Sequence, residues 1–414
     1  MIDPIILREN SKIIEETLKK RGWRTDITAV QSADEKYRQL LQTVEKMRAA
    51  INERSKSKVT IKEQEILRVD KRKLKASETA LAKAKLKAEA LLRELPNLLK
   101  DDVPAGQDEN DNVVIKVVGK PPHFPFPFKD YLTLAAEHDL IDLERAAKVS
   151  GSRFYYLKNE AALLSMALVH YGLDLAVNEG FVPILPPVMI GEEAMSGMGY
   201  LEHGGEDETY HFIKDNLYLV GTSEQSIGPM HKDEIIEADR LPLRYVAFST
   251  CFRREAGSYG KDTKGILRVH QFDKLEMFSI TTPERSNEEQ EYLLSLQEKF
   301  MNGLGLAYRV VKLCAGDLGA PSARTYDIET WIPSQNRYRE THSTSTTTDF
   351  QSRRLRIRYR RPDGTVALVH MLNGTLVAVN RPLIAILEYG QKENGTINLP
   401  LVLKPYLFGK EYIA

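Results

Sequence analysis

Cysteine is scarce in this sequence of 414 residues, where only Cys251 and Cys314 occur. Two cysteines exclude a disulfide framework and a zinc site built from cysteine thiolates. The 9 histidines show no paired spacing of the kind that metal ligands have, so we expect no zinc.

Long apolar runs are missing as well. No stretch of about 18 apolar residues exists, and the N-terminal MIDPIILRENSK carries charges where a signal peptide needs an apolar segment. We therefore expect a cytoplasmic protein without a membrane partner. Net charge is also absent, because 58 Lys and Arg balance 58 Asp and Glu. That balance alone points to no nucleic-acid partner, but the charge is distributed unevenly along the chain.

The first hundred residues are dominated by helix-forming residues. A short helix is predicted from Pro4 to about Lys20, followed by two stretches with alternating spacings of three and four. The polar segment 55–60 between these stretches allows the chain to reverse. We predict an antiparallel coiled-coil hairpin over residues 29–95. The seam positions are Val30, Ala33, Tyr37, Leu40, Val44, Met47 and Ile51, then Leu74, Ser77, Leu81, Ala84, Ala88, Leu91 and Leu95.

This hairpin is basic. Residues 30–95 contain 17 Lys and Arg against 10 Asp and Glu, so the segment carries +7 and the rest of the chain −7. A solvated helix face is one interpretation, and a surface that follows a phosphate backbone is the other. The basic positions singled out are Lys56 and Lys58 near the tip, and Lys71, Arg72 and Lys75 on the second helix.

A linker without periodicity follows the hairpin. It is acidic at first and then rich in proline, as in GKPPHFPFPF at residues 119–128. We place the domain boundary near residue 110. The predicted domains are residues 1–110 and 111–414.

Residues 243–278 form the most informative stretch. Two runs of aromatic and β-branched residues flank a polar loop that contains glycine, which predicts an antiparallel hairpin. Side chains two apart share a face, so Arg253 and Glu255 face one way on the first strand, and Arg268, Phe272 and Glu276 on the second. Arginine forks bind phosphate and an aromatic ring stacks on a base. A nucleotide-binding wall and an amphipathic hairpin with a salt-bridged outer face both fit this pattern.

The sequence FRREAGSYGKDTKGILRVHQFDKLEMF at residues 252–278 resembles motif 2 of class II aminoacyl-tRNA synthetases. Within that class it is similar to the corresponding sequence of seryl-tRNA synthetases. Residues 159–190 resemble motif 1 of that family, and residues 370–388 resemble motif 3. The resemblance implies an α+β fold in which an antiparallel β-sheet core is flanked by helices. It also implies that the N-terminal coiled-coil arm binds tRNA and that motif 1 forms a homodimer interface.

The resemblance further implies a site for ATP and Mg²⁺. Arg253 and Arg381 would be the catalytic residues, stabilising charge on the phosphates. Glu340 and Ser343 would hold the metal ion, for which oxygen ligands are suited. The implied ATP-binding residues are Arg253, Arg254, Glu255, Arg268, Phe272, Glu340, Thr341, His342, Ser343 and Arg381.

A serine pocket is implied next to it. Glu276 would receive the hydroxyl group of L-serine, and a strand is predicted from Leu217 to Glu224 that ends in YLVGTSE. The T-S-E sequence alone is also typical of a helix N-cap. The implied serine-binding residues are Thr222, Ser223, Glu224, Glu276 and Thr375.

The implied reaction has two steps, activation of serine by ATP and transfer to the 3′ end of serine tRNA. The arm would hold the long variable arm of the tRNA, and Lys261 in the motif 2 loop would touch its acceptor end. Whether selenocysteine tRNA is a second substrate stays open.

Some positions differ from the family pattern. Leu376 and Asn380 stand where glycine is usual, Thr346 where asparagine is usual, and His342 where serine is usual. Leu376 either narrows the serine pocket or packs beneath it. Two rival hypotheses are therefore kept: a catalytically altered paralogue that acts as a tRNA-binding dimer, and a ligase that loads a carrier protein. The complete arm argues against the second.

Overall fold

The protein, studied here as a computed structural model, is described for residues 1–56, 60–258 and 264–414. It divides into two compact units, Met1–Leu98 and Leu99–Ala414. The boundary predicted near residue 110 lies later in the chain, so the acidic segment before it belongs to the second unit in the structure.

The first unit is helical. Its helices are α1 (Pro4–Glu9), α2 (Ser11–Arg21), α3 (Ile27–Arg54) and α4 (Ile61–Arg93). The single helix predicted from Pro4 to Lys20 is wrong, because Asn10 has φ −150° and ψ 60° and separates α1 from α2. Asparagine favours such breaks, since its side chain competes for backbone hydrogen bonds.

Helices α3 and α4 run antiparallel along each other. Arg48 pairs with Glu78 at 2.8 Å, and Arg54 pairs with Asp70 at 2.6 Å, so later residues of α3 meet earlier residues of α4. These exposed ion pairs contribute little to stability. The predicted seam supplies the buried side chains between the helices, namely Val30, Ala33, Val44, Ile51, Ala84 and Ala88.

The second unit is built on an antiparallel sheet. Its strands are β1 (Val113–Val118), β2 (Ile141–Asp142), β3 (Tyr156–Leu157), β4 (Val182–Ile184), β5 (Met189–Gly191), β6 (His211–Phe212), β7 (Leu217–Leu219), β8 (Ile235–Glu237), β9 (Leu243–Phe252), β10 (Gln271–Thr281), β11 (Tyr308–Lys312), β12 (Arg324–Ile332), β13 (Arg337–Thr348), β14 (Arg358–Arg360), β15 (Val366–Leu368), β16 (His370–Ala378), β17 (Ile397–Asn398) and β18 (Tyr412–Ile413). In the described residues the main sheet has the order β1-β11-β12-β13-β16-β10-β9-β4. Only the edge pair β4 and β9 is parallel there.

Helices cover one face of this sheet. The helices of the unit are α5 (Tyr131–Glu137), α6 (Leu143–Ser150), α7 (Asn159–Asn178), α8 (Glu192–Met198), α9 (Gly205–Glu208), α10 (Glu224–Ile227), α11 (Ser286–Leu304), α12 (Phe350–Leu355) and α13 (Asn380–Gly390). Apolar residues of α7, α11 and α13 form one buried core with those of the central strands. By length and composition alone α7 could cross a membrane. Its buried residues, such as Leu164 and Leu168, belong to this core, as expected of a core helix in a globular unit.

The predicted α+β fold with an antiparallel core and an N-terminal helical hairpin is confirmed. Two local predictions are wrong. The strand expected from Leu217 to Glu224 stops at Leu219, and Glu224 begins the short helix α10. At residues 355–360 the alternation of apolar residues and arginine predicts a strand, but the segment is split between α12 and β14, with Arg356 in the left-handed region at φ 57°. The threonine-rich tract before them is the strand β13.

The start of α4 yields a stability prediction. The Thr60 side chain caps the Glu63 amide while the Glu63 carboxylate accepts from the Thr60 amide at 2.7 Å. We expect Thr60→Ala to destabilise the first turn of α4 by about 1 kcal/mol, because a helix amide loses its acceptor. Faster hydrogen exchange at the Glu63 amide would report this loss.

A mid-helix threonine provides the control. Thr79 is exposed and donates to the Lys75 carbonyl within the helix. Thr79→Ala should leave protection unchanged or increased, because alanine is the better helix former. Equal loss of protection in both variants would contradict the role of the cap.

Candidate active site

The sheet face opposite α7, α11 and α13 carries two adjoining cavities. The Phe272 cavity is lined by residues that include Arg253, Arg268, Phe272, Asn380 and Arg381. The Glu276 cavity is lined by residues that include Tyr200, Thr222, Glu224, Glu276, Ser343 and Asn373. Both cavities share Arg253, Glu255, Arg268, Lys274, Glu340 and Thr375, so the two are continuous.

A bulge in β13 sets the polar wall of this site. Glu340 lies opposite Glu329 and His342 lies opposite Ile328, so Thr341 is the extra residue of the bulge in the strand register. In a regular strand, residues three apart face opposite sides. The extra residue restores Glu340 and Ser343 to the same face, where both line the Glu276 cavity.

A second bulge lies in β16. Glu276 pairs with Thr375 and Leu275 pairs with Val377, so Leu376 is the extra residue. The Leu376 side chain is 0% exposed and belongs to the main core. A Cβ atom at Gly172 of α7 would lie 3.6 Å from its Cγ atom. Leu376 therefore packs beneath the sheet and does not narrow the cavity.

Two buried carboxylates lie at the base of the Glu276 cavity. Tyr200 donates to Glu224 Oε2 at 2.7 Å, and Gln351 donates to Glu224 Oε1 at 2.8 Å. Burial raises the pKa of Glu224, and the charge of Glu276 adds to this effect. A cationic group entering the cavity would favour the ionised carboxylate, since an opposite charge compensates for lost solvation.

Glu276 is held by a cation and a hydroxyl group. Lys274 Nζ lies 2.7 Å from Glu276 Oε2, and both side chains are almost completely buried. Thr375 donates to the same oxygen at 3.1 Å. Glu276 Oε1 is thus the oxygen that these contacts leave for a hydroxyl group in the cavity.

The Phe272 cavity combines an aromatic ring with arginines. The Arg253 guanidinium lies over the Phe272 ring at 5.2 Å, and Arg268 Nη1 lies 3.3 Å from Glu255 Oε2. Glu255 has φ 53°, a left-handed conformation that is uncommon outside glycine and typical of functional sites. Such a group of planar cations is suited to phosphate oxygens.

Arg381 of α13 contacts Glu340 of β13. Its Nη1 donates to Glu340 Oε2 at 3.0 Å. Burial opposes ionisation of Glu340, but Arg381 and the other nearby cations outweigh it and lower its pKa. Glu340 is therefore an ionised carboxylate beside a guanidinium at neutral pH.

Most of the predicted site residues meet in these cavities, and the exceptions are three. Arg254 is outside both, Ser223 lies beneath the Glu276 cavity and its hydroxyl donates to the Ala247 carbonyl at 3.3 Å, and His342 faces the core. His342 lies 5.7 Å from the Phe300 ring, and burial lowers its pKa to about 4. The structure thus places the side chains of Ser223 and His342 outside both cavities.

The remaining predictions concern the basic residues and the altered positions. Lys56, Lys71, Arg72 and Lys75 are exposed on the arm, while Lys58 and Lys261 lie outside the described residues. Asn380 accepts from Tyr155 at 2.9 Å and donates to the Ile266 carbonyl at 2.9 Å, so it stabilises the cavity rim.

Three site residues escaped the sequence analysis. Lys274 could have been found, because it continues the alternation from Arg268 through Phe272 to Glu276. Tyr200 and Gln351 had no such signal, since Tyr200 reaches Glu224 from the segment after α8 and Gln351 reaches it from α12.

Comparison with known proteins identifies the family. Residues 210–389 match the tRNA synthetase class II core domain (G, H, P, S and T), and residues 1–99 match the seryl-tRNA synthetase N-terminal domain. A serine–tRNA ligase of Clavibacter michiganensis subsp. michiganensis is 44% identical over 420 residues, which span 100% of this chain and 98% of the relative. The chain belongs to the seryl-tRNA synthetase family. The resemblance inferred from the sequence motifs is thereby confirmed.

Solved structures of seryl-tRNA synthetases agree with this placement. The enzyme from Pyrococcus horikoshii, determined in complex with ATP, is 36% identical with a TM-score of 0.92, and the match covers 100% of this chain and 99% of that one. The cytoplasmic serine–tRNA ligase from Naegleria fowleri, in complex with AMP, is 31% identical with a TM-score of 0.88 and coverage of 100% and 98%.

The position of Leu376 in this synthetase can be tested by stability. We expect Leu376→Ala to lower the free energy of unfolding of the second unit by about 2–5 kcal/mol, because it leaves a cavity in the core. Trp23 and Trp331 lie in different units. Denaturant unfolding followed by Trp331 fluorescence in a Trp23→Phe background would isolate the second unit.

Thr375→Ala is the matched control, because Thr375 is next to Leu376 in the sequence but its side chain faces the cavity. It removes one hydrogen bond to Glu276 and should cost about 1 kcal/mol. A cost for Leu376→Ala no greater than that for Thr375→Ala would contradict the buried position of Leu376.

Proposed function

We propose that this protein activates L-serine with ATP and transfers it to the 3′ end of serine tRNA. The observation that carries the proposal is the pair of continuous cavities, one with two buried carboxylates and the other with an aromatic ring and arginines. The full-length similarity to serine–tRNA ligases supports it. Selenocysteine tRNA is a further candidate substrate.

In the first step, a carboxylate oxygen of serine attacks the α-phosphorus of ATP. The bond from this phosphorus to the bridging oxygen of the β-phosphate breaks, and pyrophosphate leaves with the electron pair. Arg253 stabilises the charge on the α-phosphate, Phe272 stacks on adenine, and Arg381 binds the far end of the triphosphate. Catalysis then consists mainly of positioning and electrostatic stabilisation.

In the second step, a terminal ribose hydroxyl group of the tRNA attacks the carbonyl carbon of seryl-adenylate. The anhydride bond to the phosphate breaks, AMP leaves, and an ester forms. Neither step requires a covalent intermediate between the substrate and a side chain.

Serine is selected by its ammonium and hydroxyl groups. Glu224 and Thr222 would accept from the ammonium group, and Glu276 would accept from the hydroxyl group. Alanine would leave Glu276 without that donor, and a buried polar group without a partner costs free energy. Threonine would be excluded by its additional methyl group, the weaker form of discrimination.

Magnesium fits the residues present. Glu340 and Ser343 offer hard oxygen ligands on one face, and the buried Oδ1 of Asp327 beside them has no hydrogen-bond partner among the described residues. When bound, Mg²⁺ would neutralise phosphate charge as a Lewis acid. Within those residues, no three His, Cys, Asp or Glu are grouped to hold a metal, which suits an ion held partly by ATP.

The basic arm is the proposed tRNA-binding element. Lys71, Arg72 and Lys75 are exposed on α4, and Lys56 is exposed after the end of α3. Positive charge along a rigid helical hairpin suits the phosphate backbone of the long variable arm. Lys58 and Lys261 are proposed to take part as well.

An apolar surface around α7 supports a homodimer. It includes Tyr156, Met166, Val169, Leu173 and Leu185, and in this isolated chain Leu185 is 82% exposed and Met166 is 64% exposed. Large apolar surfaces of this kind are typical of obligate homodimers. We propose a cytoplasmic homodimer in which a second copy of the chain covers this surface.

The activation step can be tested by serine-dependent exchange of labelled pyrophosphate into ATP. We expect exchange with serine and none with alanine, threonine or glycine. Glu276→Gln should lower kcat/KM for serine by about 10- to 100-fold, because the hydrogen bond to a charged acceptor is lost. Its KM for ATP should stay near the wild-type value.

The same assay addresses the rival hypothesis. A folded protein that binds tRNA but supports no exchange would contradict the proposed ligase activity and favour a tRNA-binding paralogue. The buried position of Leu376 removes the main structural argument for that paralogue.

The dimer can be tested by replacing Leu185. We expect Leu185→Asp to convert the dimer to a monomer, because a carboxylate would be buried in the apolar interface. Light scattering after size-exclusion chromatography would measure the mass.

Ile213 supplies the control, since it is 83% exposed but does not line the α7 surface. Ile213→Asp should remain dimeric. A wild-type protein that is monomeric at micromolar concentration would refute the dimer.

A further inference from the structure

Asp327 lies on the cavity face of the main sheet, although none of the three sequence motifs includes it. It occupies β12 directly opposite Ser343 of β13. Its neighbours in β12, Tyr326 and Ile328, belong to the main core, so Asp327 faces the other way. The strand pairing thus places its carboxylate beside the residues proposed to hold Mg²⁺.

The two oxygens of this carboxylate differ. The Ser343 hydroxyl group hydrogen-bonds to the carboxylate, whereas Asp327 Oδ1 is buried without a hydrogen-bond partner among the described residues. A buried carboxylate oxygen without a donor costs free energy. The site therefore lacks a group that would satisfy Oδ1.

The charges around Asp327 identify the missing group as cationic. The carboxylates of Glu340, Glu329 and Asp317 all repel it. Glu329 is paired with Arg309 and Glu340 with Arg381, while no salt bridge to Asp327 occurs in the described part of the chain. Like charges that share a site are stabilised by a bound cation or by its hydration shell.

We propose that Asp327 is a positioning residue of the divalent-cation site. By accepting a hydrogen bond from the Ser343 hydroxyl group it would turn the Ser343 oxygen lone pairs towards the cation, and its Oδ1 would accept a hydrogen bond from a water molecule bound to the cation. Mg²⁺ keeps several of its waters in nucleotide sites, and carboxylates that orient ligands in this way affect metal affinity by about 10- to 100-fold. The inference rests on the proposed use of ATP and Mg²⁺.

The proposal predicts that Asp327 affects ATP binding differently with and without the cation. Asp327 contributes to ATP binding only when the cation is present. Without a cation Asp327 has no cation-bound water to hold, so its removal leaves ATP binding unchanged.

The test compares ATP dissociation constants in saturating Mg²⁺ and in EDTA, measured by isothermal titration calorimetry without serine. For Asp327→Asn we expect about tenfold weaker binding with Mg²⁺ and no weakening in EDTA. Glu329→Gln is the matched control, since it removes one carboxylate from the same face of the same strand. It should leave both constants near wild type.

A purely structural role predicts a different result. Equal weakening with Mg²⁺ and in EDTA, or equal effects of Asp327→Asn and Glu329→Gln, would overturn the inference. Ser343→Ala provides a second measurement. Because Asp327 acts through Ser343, the double variant should lose less Mg²⁺-dependent affinity than the sum of the two single losses, and full additivity would also overturn it.

The outcome is separable from that of the proposed function. ATP binding with and without Mg²⁺ requires neither serine nor turnover. If the wild-type protein shows no serine-dependent exchange but the metal-dependent difference for Asp327→Asn is present, the ligase proposal fails and the role of Asp327 stands.

Discussion

The burial of one face of the main sheet against α7, α11 and α13 is the constraint on which the site depends. Because that face must be apolar, polar side chains can be gathered only on the other face. Regular alternation would then separate Glu340 from Ser343, and Thr375 from Ala378. One extra residue in β13 and one in β16 bring each pair to the cavity side. The bulges thus allow a continuous apolar core on one face of the sheet and a cluster of polar side chains on the other face.

Charge compensation is the second requirement of this arrangement. Lys274 neutralises Glu276, and Arg381 neutralises Glu340, but among the described residues Glu224 is held by the neutral donors Tyr200 and Gln351. Burial of charged groups lowers stability unless oppositely charged or hydrogen-bonding partners compensate for the lost solvation. The proposed substrates carry the missing charges, since serine brings an ammonium group and ATP brings phosphates with a divalent cation. The same groups that are costly to bury therefore make the site selective.

Elements with strong local patterns were predictable. The seam of α3 and α4 repeats over many turns, and the motif 2 hairpin alternates on both sides of its loop, so neither depends on distant residues. The alternation of apolar residues and arginine at residues 355–360 predicts a strand, because alternation alone does not show where the chain turns. There the chain turns at Arg356 in the left-handed region, and the strand is the threonine tract itself. The strand predicted through Glu224 failed for a similar reason, because a turn into α10 brings this carboxylate to Tyr200 and Gln351.

Residue types and their order were sufficient to predict the family, the helical arm and a nucleotide-binding wall. They could not establish on which side of the sheet Leu376, His342 and Asp327 lie. The sheet face on which a side chain lies is set by pairing with a neighbouring strand. A bulge of one residue reverses that face, and the local sequence does not show where the bulge occurs. The tertiary structure alone placed Leu376 and His342 in the core and Asp327 beside Ser343.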